Sequence, residues 1–403
     1  MGLEDLFKNV EKGFKKKFGR DSELLGPLGH EVDPPTGLIV DNPLLEYILD
    51  RRYIAYGRCY LTYGKKGNSK TSLFLNLAKI FQQAGGDVVW IETEKAADLD
   101  YAKKQGLDLS RVLLPQVDSL QEALTVAEDV IRNLHKAYPA GDTPVLICLD
   151  SIAGAIPEYE LQSDITVGET RVGEHARLMS GFYRRIIHPL ANEKAIFLAT
   201  NQLKDAIGKS TFGSEPPEAM IGGEAARFHS TYQFKVVRTK DLCKKLEGGA
   251  ERKIGSRHEI TCKRNKLGRE GNTQKISFDL HIEGGIDWYS PLVRLLGENY
   301  PNLVYKSGAY VRWLIDDVYY DKDVIDDETG ESKITQLFIP TDKNMRESDL
   351  ATMIANSSQA KELIRHEFGI PDLPPVEVIE KVEKELKAKR GKKLRQTDET
   401  EEL

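Results

Sequence analysis

The 403-residue sequence has few cysteines and no long apolar run, and both features exclude classes of protein. Its cysteines, Cys59, Cys148, Cys243 and Cys262, stand far apart without a CxxC pair, which favours free thiols in a reducing compartment. Its eight histidines form no HExxH or Cys/His cluster, so a zinc site is not expected. No segment approaches the ~20 apolar residues of a membrane span. The charged N-terminus lacks the apolar core of a signal peptide, so we expect a soluble, cytoplasmic protein without a membrane partner.

The composition is that of an ordinary globular protein, with 40% hydrophobic and 30% charged residues. A net charge of −6 does not indicate nucleic-acid binding. However, an acidic protein can still have a basic surface if its charges are segregated. The length suggests two or three structural units.

Strand-like and helix-like runs alternate through the first half of the chain. The predicted strands are 58–63, 87–92, 112–115, 145–150 and 195–200, and the predicted helices are 71–84, 98–105, 119–137 and 173–192. This alternation is typical of a parallel sheet covered on both faces, which defines an α/β fold. A second strand-rich region lies near 231–238, 257–263 and 275–282, where alternating apolar residues predict antiparallel strands.

Both ends of the chain differ from this central pattern. Residues 3–18 have the apolar spacing of a helix, which packs either on its own core or on a neighbouring subunit. After residue 290 we expect a short helix at 292–297, a hairpin of Tyr310–Leu314 with Val318–Tyr320, an exposed loop at 321–332, and helices at 348–368 and 376–390. The acidic tip at 396–403 is either solvated or competes with nucleic acid for basic surface.

One loop has the spacing of a phosphate-binding loop between a strand and a helix. It consists of Gly64, Lys65, Lys66, Gly67, Asn68, Ser69, Lys70 and Thr71, and the helix continues with Ser72. Backbone N–H groups of such a loop bind phosphates, while Lys70 reaches the β- and γ-phosphates of ATP and the Thr71 hydroxyl binds Mg²⁺. Ser69 stands where the G-x-x-x-x-G-K-[ST] motif has Gly, which permits close backbone approach. For this stretch alone, a coincidental strand–loop–helix remains the alternative.

Two acids follow later strands of the predicted sheet. Asp150 comes after an apolar run, as a residue that orients Mg²⁺ requires, and Glu94 follows the 87–92 strand. Ligands of open α/β sheets bind beyond the carboxyl ends of the strands, so the loop and both acids are expected to converge. Glu94 is then suited to act as a general base toward the water that attacks the γ-phosphate.

Several segments together resemble the RecA recombinase family, and in particular its bacteriophage, UvsX-like branch, over roughly residues 35–305. The segments are Glu92–Asp98 with Tyr101, Leu149–Ser151, Phe197–Gln202, Ile221–Phe228, Lys263–Lys266 and Ile282–Ser290. The resemblance implies a RecA-like P-loop ATPase core with a mostly parallel twisted sheet, flanking helices, a short N-terminal helix and a small C-terminal domain. The implied units are an N-terminal oligomerisation helix and linker (1–36), the ATPase core with two DNA-binding loops (37–290), a C-terminal α/β region (291–395) and an acidic tail (396–403).

The resemblance also implies roles for individual residues. Glu94, Lys70 and Gln202 are implied to be catalytic, with Gln202 sensing the γ-phosphate. Asp98 and Tyr101 flank the adenine, Thr71 and Asp150 hold Mg²⁺, and Arg264 and Lys266 reach the ATP of a neighbouring subunit. The implied DNA-binding residues are Arg177, Arg184, Lys204, Lys209, Phe212, Gly222 and Gly223.

Each of these DNA-binding and interface roles has a purely structural alternative. Arg177 and Arg184 lie seven residues apart on one helical face, which suits either successive phosphates or a salt-bridged solvent face, while Arg185 is expected to be structural. Phe212 either contacts DNA or packs on its own loop. The Gly222–Gly223 pair either approaches phosphate or forms a simple turn. Arg264 and Lys266 are either trans-acting cations or surface charges.

The leading hypothesis is an ATP- and Mg²⁺-dependent recombinase that forms helical filaments of copies of itself on single-stranded DNA. It would pair that strand with homologous double-stranded DNA and exchange strands, in recombination, repair and recombination-dependent replication. Single-strand-binding and mediator proteins are further expected partners, and a phage protein would act in the cytoplasm of a bacterial host. A ring helicase on the same core and a signalling ATPase independent of DNA are the alternatives.

Overall fold

The computed structural model describes residues 12, 16, 36–162, 173–205, 218–246, 249–268, 274–325 and 332–373. At positions 204, 205, 218, 219 and 325 the description covers the backbone alone. Lys209 and Phe212, most of the predicted N-terminal helix, the predicted helix at 376–390 and the acidic tail therefore lie outside the described residues.

The described part of the chain is organised around a ten-stranded sheet. Two short strands, β1 (Gly37–Ile39) and β2 (Tyr53–Ala55), pair with each other apart from it. The sheet strands are β3 (Arg58–Gly64), β4 (Asp87–Glu92), β5 (Val112–Leu113), β6 (Val145–Asp150), β7 (Ala195–Asp205), β8 (Glu218–Met220), β9 (Tyr232–Lys245), β10 (Glu251–Asn265), β11 (Lys275–His281) and β12 (Gly285–Asp287). Their order is β12-β11-β10-β9-β3-β7-β6-β4-β5, with β8 paired to β7.

Strand direction divides this sheet into two regions. Neighbours from β9 through β3, β7, β6 and β4 to β5 run parallel, whereas β9, β10, β11 and β12 pair antiparallel. Every residue of β6 is buried, as expected for a strand covered on both faces. The predicted α/β fold with a mostly parallel sheet and an antiparallel extension is confirmed.

Helices cover both faces of the sheet. The described helices are α1 (Pro43–Leu49), α2 (Lys70–Gln83), α3 (Leu99–Lys104), α4 (Leu120–Ala137), α5 (Glu158–Gln162), α6 (Glu174–Ala191), α7 (Ala225–His229), α8 (Tyr289–Asn299), α9 (Glu347–Ala355) and α10 (Ser358–Phe368), and α2 and α8 cover one face while α4 and α6 cover the other. Local sequence signals mark some of these helix ends. At the start of α4, for example, Ser119 and Glu122 form a reciprocal capping box.

Alternate residues of the central strands supply two separate apolar cores. In β4, Val88 and Trp90 join the core with α2 and α8, while Val89 and Ile91 join the core with α4 and α6. This division follows from the two-residue period of a strand. Within the described residues, no helix combines the length and apolar character required to cross a bilayer.

The C-terminal region corrects three expectations. Tyr310–Trp313 (β14) pairs with Val304–Ser307 (β13) and with Met345–Arg346 (β17), so the predicted hairpin of Tyr310–Leu314 with Val318–Tyr320 is wrong. Tyr319–Ile325 (β15) instead pairs with Ser332–Phe338 (β16), so much of the predicted exposed loop is strand. The predicted helix at 348–368 is two helices, because Ser357 leaves helical geometry and its side chain caps α10.

Candidate nucleotide-binding site

The predicted phosphate-binding loop lies between the end of β3 and the start of α2. Lys70, the first residue of α2, is buried, and its Nζ donates to the carbonyl oxygens of Gly64 (3.3 Å) and Lys65 (3.2 Å). Burial lowers the pKa of Lys70, against the opposing charges of Asp150 and Glu94. A positive charge is thus held under a loop whose Lys65, Lys66 and Gly67 are exposed.

Two side chains tie this loop to the antiparallel half of the sheet. Asn68 Nδ2 donates to the carbonyl oxygen of Val236 on β9 (2.8 Å), and Ser69 Oγ lies 3.2 Å from His258 Nε2 on β10. Ser69 precedes α2 in the left-handed conformation, at φ 58° and ψ 34°. The position thus has the backbone geometry that favours the Gly of the motif, although Ser occupies it.

Asp150 is buried at the end of β6 and accepts two hydroxyl hydrogen bonds. Thr71 Oγ1 donates at 2.8 Å and Thr200 Oγ1 at 2.5 Å. Burial raises the pKa of Asp150, and the two hydroxyl donors partly oppose that effect. Thr71 and Asp150 are therefore brought together, as the sequence predicts for a Mg²⁺ site.

Glu94 lies beside this pair and is held by two neighbours. Its Oε1 accepts from Ser151 Oγ (2.7 Å) and from Gln202 Nε2 (2.9 Å). The turn that carries it is stabilised by Glu92, whose carboxylate accepts the backbone N–H groups of Glu94 (2.7 Å) and Ala96 (3.0 Å). The structure thus brings Glu94 and Gln202 into direct contact from strands that are not neighbours in the chain.

Of the two predicted adenine-flanking residues, Tyr101 lies on α3, next to α2, and Asp98 directly precedes α3. Tyr101 Oη is 3.2 Å from Ser72 Oγ, and the Asp98 side chain caps α3 by accepting from the backbone N–H of Tyr101 (2.8 Å). Asp98 therefore has a local structural role that is independent of any ligand.

Arg264 and Lys266 lie at the opposite edge of the sheet. Their side chains donate to the carbonyl oxygens of Arg227 (3.3 Å) and Phe228 (2.9 Å) in α7. Backbone bonds from Lys266 to Thr231, and from Thr231 to Cys59, place this segment near the amino end of β3. The phosphate-binding loop follows the carboxyl end of that seven-residue strand, about 20 Å away. These cations are not brought to the nucleotide site of their own chain.

The predicted DNA-contacting residues are only partly within the described chain. Arg177 and Arg184 are exposed on α6, and Arg177 pairs with Glu174 at 3.1 Å. Arg185 pairs with Glu128 at 2.6 Å, which agrees with the structural role expected for it. The Lys204 backbone belongs to β7, its side chain is outside the description, and Lys209 and Phe212 lie in the undescribed segment.

Gly222 and Gly223 pack closely against the start of α6. Their φ angles are +81° and +72°, and a Cβ at Gly222 would lie 2.8 Å from His175 Nδ1. A Cβ at Gly223 would lie 2.7 Å from the Ala176 Cβ. Both glycines are therefore required by the packing of this turn, whatever else the segment contacts.

Sequence reasoning did not identify Ser151, Thr200, Asn201, His175 or His258 as parts of this site. For Thr200 a signal existed, since it lies two residues before Gln202 on one strand and so points to the same side. Ser151 directly follows Asp150. His175 Nε2 lies 3.1 Å from the Ile152 carbonyl oxygen, and that long-range contact has no local signature.

The residues at this edge fit a nucleoside triphosphate with Mg²⁺. A buried lysine, a helix N-terminus and a hydroxyl beside a carboxylate supply a phosphate cradle and hard oxygen ligands. Among the described residues, no three His, Cys, Asp or Glu side chains cluster as metal ligands. Mg²⁺ at nucleotide sites usually takes one or two carboxylates together with phosphate oxygens, so it does not require such a cluster.

Comparison with known proteins agrees with this geometry. A family profile described as the RecA N-terminal domain matches residues 6–287. Protein RecA of Nocardioides sp. is 32% identical over 309 residues, which cover 76% of this chain and 80% of that protein. Protein RecA of Frankia alni is 31% identical over 296 residues (73% and 79%), and that of Chlorobaculum tepidum is 29% identical over 313 residues (77% and 81%). The extent of these matches, together with the fold and the arrangement of the site, shows that the chain belongs to the RecA family.

Proposed function

We propose that this protein is a DNA-dependent ATPase and homologous recombinase. It forms a helical filament of its own copies on single-stranded DNA in the presence of ATP and Mg²⁺, pairs that strand with homologous duplex and exchanges strands. Membership of the RecA family supports a role in DNA recombination and repair. The further details rest on the geometry of the site.

The observation that carries this proposal is the position of Glu94. Its carboxylate touches both Ser151 and Gln202, beside the Asp150–Thr71 pair and the buried Lys70. We assign Glu94 as the base that orients and deprotonates the water attacking the γ-phosphate. Lys70 stabilises the charge that develops on the phosphate oxygens. Thr71 and Asp150 would hold Mg²⁺, which would neutralise further negative charge there.

Gln202 is proposed to link nucleotide state to DNA binding. It precedes the segment 203–222, and the neighbouring Asn201 Nδ2 donates to the carbonyl oxygen of Ile221 at the other end of that segment (2.8 Å). A γ-phosphate that draws Gln202 away from Glu94 would shift β7 and, through Asn201, the paired β8. Such a shift would transmit the nucleotide state to the segment that connects β7 and β8, and a coupled shift of this kind is a known type of switch.

The location of Arg264 and Lys266 supports a shared site. They lie about 20 Å from the phosphate-binding loop of their own chain, by the length of β3. We propose that they reach the nucleotide of the next subunit, where two cations neutralise transition-state charge as an arginine finger does. Each nucleotide site is then complete only in the filament.

DNA is proposed to be held mainly through its backbone, so that base pairing supplies sequence specificity. The contacts are assigned to Arg177, Arg184, Lys204, Lys209, Phe212, Gly222 and Gly223. Residues 1–36 are proposed to serve oligomerisation, 37–290 catalysis and DNA binding, 291–395 a C-terminal accessory role, and 396–403 an acidic tail. Ser69 and the Ile282–Ser290 segment favour the bacteriophage, UvsX-like branch, which would place the protein in a bacterial host with single-strand-binding and mediator partners.

ATPase assays with and without single-stranded DNA, combined with strand-pairing and unwinding assays, test this function. DNA-stimulated turnover together with homologous pairing supports the proposal. Unwinding of a forked duplex without any pairing would indicate a ring helicase instead. Turnover that is insensitive to DNA, with neither activity, would indicate a signalling ATPase.

A further inference from the structure

The phosphate-binding loop contains a non-glycine residue in a conformation that glycine adopts most easily. Ser69 has φ 58° and ψ 34° directly before Lys70. A side chain in the left-handed region costs about 1 kcal/mol relative to Gly, so the residue tends to leave this conformation unless other contacts hold it. The Ser69 side chain makes no capping bond to the helix that follows it. Whatever retains the conformation must come from elsewhere in the fold.

His258, 189 positions along the chain, supplies that contact. Its Nε2 lies 3.2 Å from Ser69 Oγ and 2.9 Å from Ser256 Oγ, and the residue is fully buried on β10. The imidazole stacks on Phe278, its cross-strand partner on β11, at 5.0 Å between ring centroids and 14° between planes. The ring is therefore fixed by the sheet before it meets the loop.

The imidazole is held neutral. Burial is the main reason that its pKa falls to about 4, the charge of Arg238 lowers it further, and Asp279 opposes the shift. Nδ1 is buried and has no hydrogen-bond partner among the described residues. Both contacts with serine hydroxyls are made by Nε2, and Ser69 Oγ and Ser256 Oγ are the two polar atoms within hydrogen-bond distance of it among the described residues.

We propose that His258 is a positioning residue of the ATPase, which holds Ser69, and through it the phosphate-binding loop, in the conformation that binds nucleotide. A Gly at this position would adopt the left-handed conformation without strain. With Ser, the contact with His258 stabilises that conformation instead. His258 does not itself touch the nucleotide. The inference rests on the proposed nucleotide binding, since a loop without a ligand would need no such support.

Loss of this contact is expected to weaken nucleotide binding more than it slows chemistry. Lys70, Thr71 and Glu94 remain in place, but the loop spends less time in the competent conformation. In His258→Phe, which keeps an aromatic ring for Phe278, the KM for ATP should rise about tenfold while kcat changes less than twofold. His258→Gln places an amide nitrogen near the position of Nε2 and should recover most of the loss.

A double-mutant cycle with Ser69 separates positioning from general damage to the fold. In Ser69→Gly the hydroxyl is absent, and Gly adopts the left-handed conformation without a supporting contact. Adding His258→Phe to this variant should therefore change the KM for ATP less than twofold. The inference is wrong if His258→Phe raises KM equally with and without the Ser69→Gly substitution, or leaves KM unchanged when Ser69 is present.

A second comparison applies if His258→Phe does not fold. Ser69→Ala keeps a side chain in the left-handed region but removes the hydroxyl that contacts His258, so it should bind a fluorescent ATP analogue several-fold more weakly than the unsubstituted protein, whereas Ser69→Gly should bind about as tightly. Equal affinities of Ser69→Ala and the unsubstituted protein would overturn the inference. Failure of the unsubstituted protein to bind the analogue with Mg²⁺ would instead contradict the proposed function.

Discussion

At the scale of single residues, the site is a set of short hydrogen bonds between residues far apart in the chain. Asp150 is bonded to Thr71 and Thr200, and Glu94 to Ser151 and Gln202. Buried polar groups need such partners, because an unsatisfied donor or acceptor costs about 1–3 kcal/mol. The two carboxylates are therefore held in place by different partners.

Glu94→Gln should retain ATP and DNA binding but lose turnover by about 10²–10⁴-fold, the usual contribution of a general base. The amide has nearly the same shape but cannot take a proton. Steady-state ATPase measurements and a separate ATP-binding titration check this. Asp129→Asn, an equal charge change on the exposed side of α4, is the control and should behave as the unsubstituted protein. Normal hydrolysis by Glu94→Gln would show that the base is another group.

Thr200→Val should weaken Mg²⁺ binding. The substitution nearly keeps the side-chain shape but removes a hydroxyl that lowers the pKa of the buried Asp150. A cost of about 1–3 kcal/mol for the unpaired carboxylate oxygen would raise the Mg²⁺ concentration at half-maximal ATPase by about 5- to 150-fold. A magnesium titration measures this, with Thr125→Val on the exposed surface of α4 as control. An unchanged magnesium dependence would mean that Thr200 does not tune the site.

At the scale of elements, β7 connects the two proposed activities. One part of it lies beside β3 and β6, where Gln202 meets Glu94, and its end pairs with β8 next to Gly222. His175 at the start of α6 packs against that glycine and contacts the Ile152 carbonyl oxygen after β6. The nucleotide site and the Gly222 turn therefore share direct contacts.

Gly222→Ala should reduce stimulation of the ATPase by single-stranded DNA more than it reduces the ATPase without DNA. The new Cβ would lie 2.8 Å from His175 Nδ1, at a φ of +81°. Steric strain of about 1–3 kcal/mol would displace the turn. Gly85→Ala is the matched control, because it has φ +75° but nothing within 4 Å of the added Cβ. Equal DNA stimulation in both variants would separate this turn from DNA binding.

At the scale of the whole molecule, the C-terminal helices are joined to the core by charge as well as by apolar packing. Arg365 on α10 donates to Glu46 on α1 and to Asp41, while Trp313 and Ile364 belong to the same apolar core as α2. Glu46 is fully buried, and burial raises its pKa in spite of Arg365. The proposed boundary near residue 290 thus crosses a continuous core.

Arg365→Met should lower the free energy of unfolding by about 3–5 kcal/mol, because it leaves Glu46 buried without its main partner. The double variant with Glu46→Leu should recover much of that loss, since an apolar pair can replace a buried ion pair. Urea denaturation measures both. Arg185→Ala, which breaks a pair with the Arg side chain 54% exposed, should cost no more than about 1 kcal/mol. A double variant no more stable than Arg365→Met alone would contradict this account.

Stability should also fall as the pH drops below 6.5, the ordinary pKa of histidine. His258 has a pKa of about 4 in the folded protein, against 6.5 normally. Between these two pH values the unfolded chain is protonated at His258 and the folded protein is not. The stability is present above pH 6.5 and is lost as pH falls toward 4, by up to about 2 kcal/mol between pH 7 and 5. Urea denaturation at both pH values should give a shallower dependence for His258→Gln. Parallel dependences would show that another group is responsible.

The alternation of strands and helices, and the position of the candidate nucleotide site at the carboxyl ends of the strands, were predictable because their sequence signals are local. Apolar runs, helix caps and a loop between a strand and a helix can be recognised from neighbouring residues alone. Parallel strands then place their carboxyl ends at one edge of the sheet. The pairing of Tyr310–Trp313 was not predictable in this way. A short strand pairs with whichever segment the fold brings beside it, and here that is Val304–Ser307.

The sequence by itself determined the chemistry at the nucleotide edge: Lys70, Thr71, Glu94 and Asp150 are recognisable by type and by their place after strands. Tertiary structure alone decided how Ser69 keeps a left-handed backbone, because the supporting His258 belongs to a strand 189 positions away. It also placed Arg264 and Lys266 away from their own site. Such contacts depend on which strands become neighbours, and that is settled by the burial of the whole sheet.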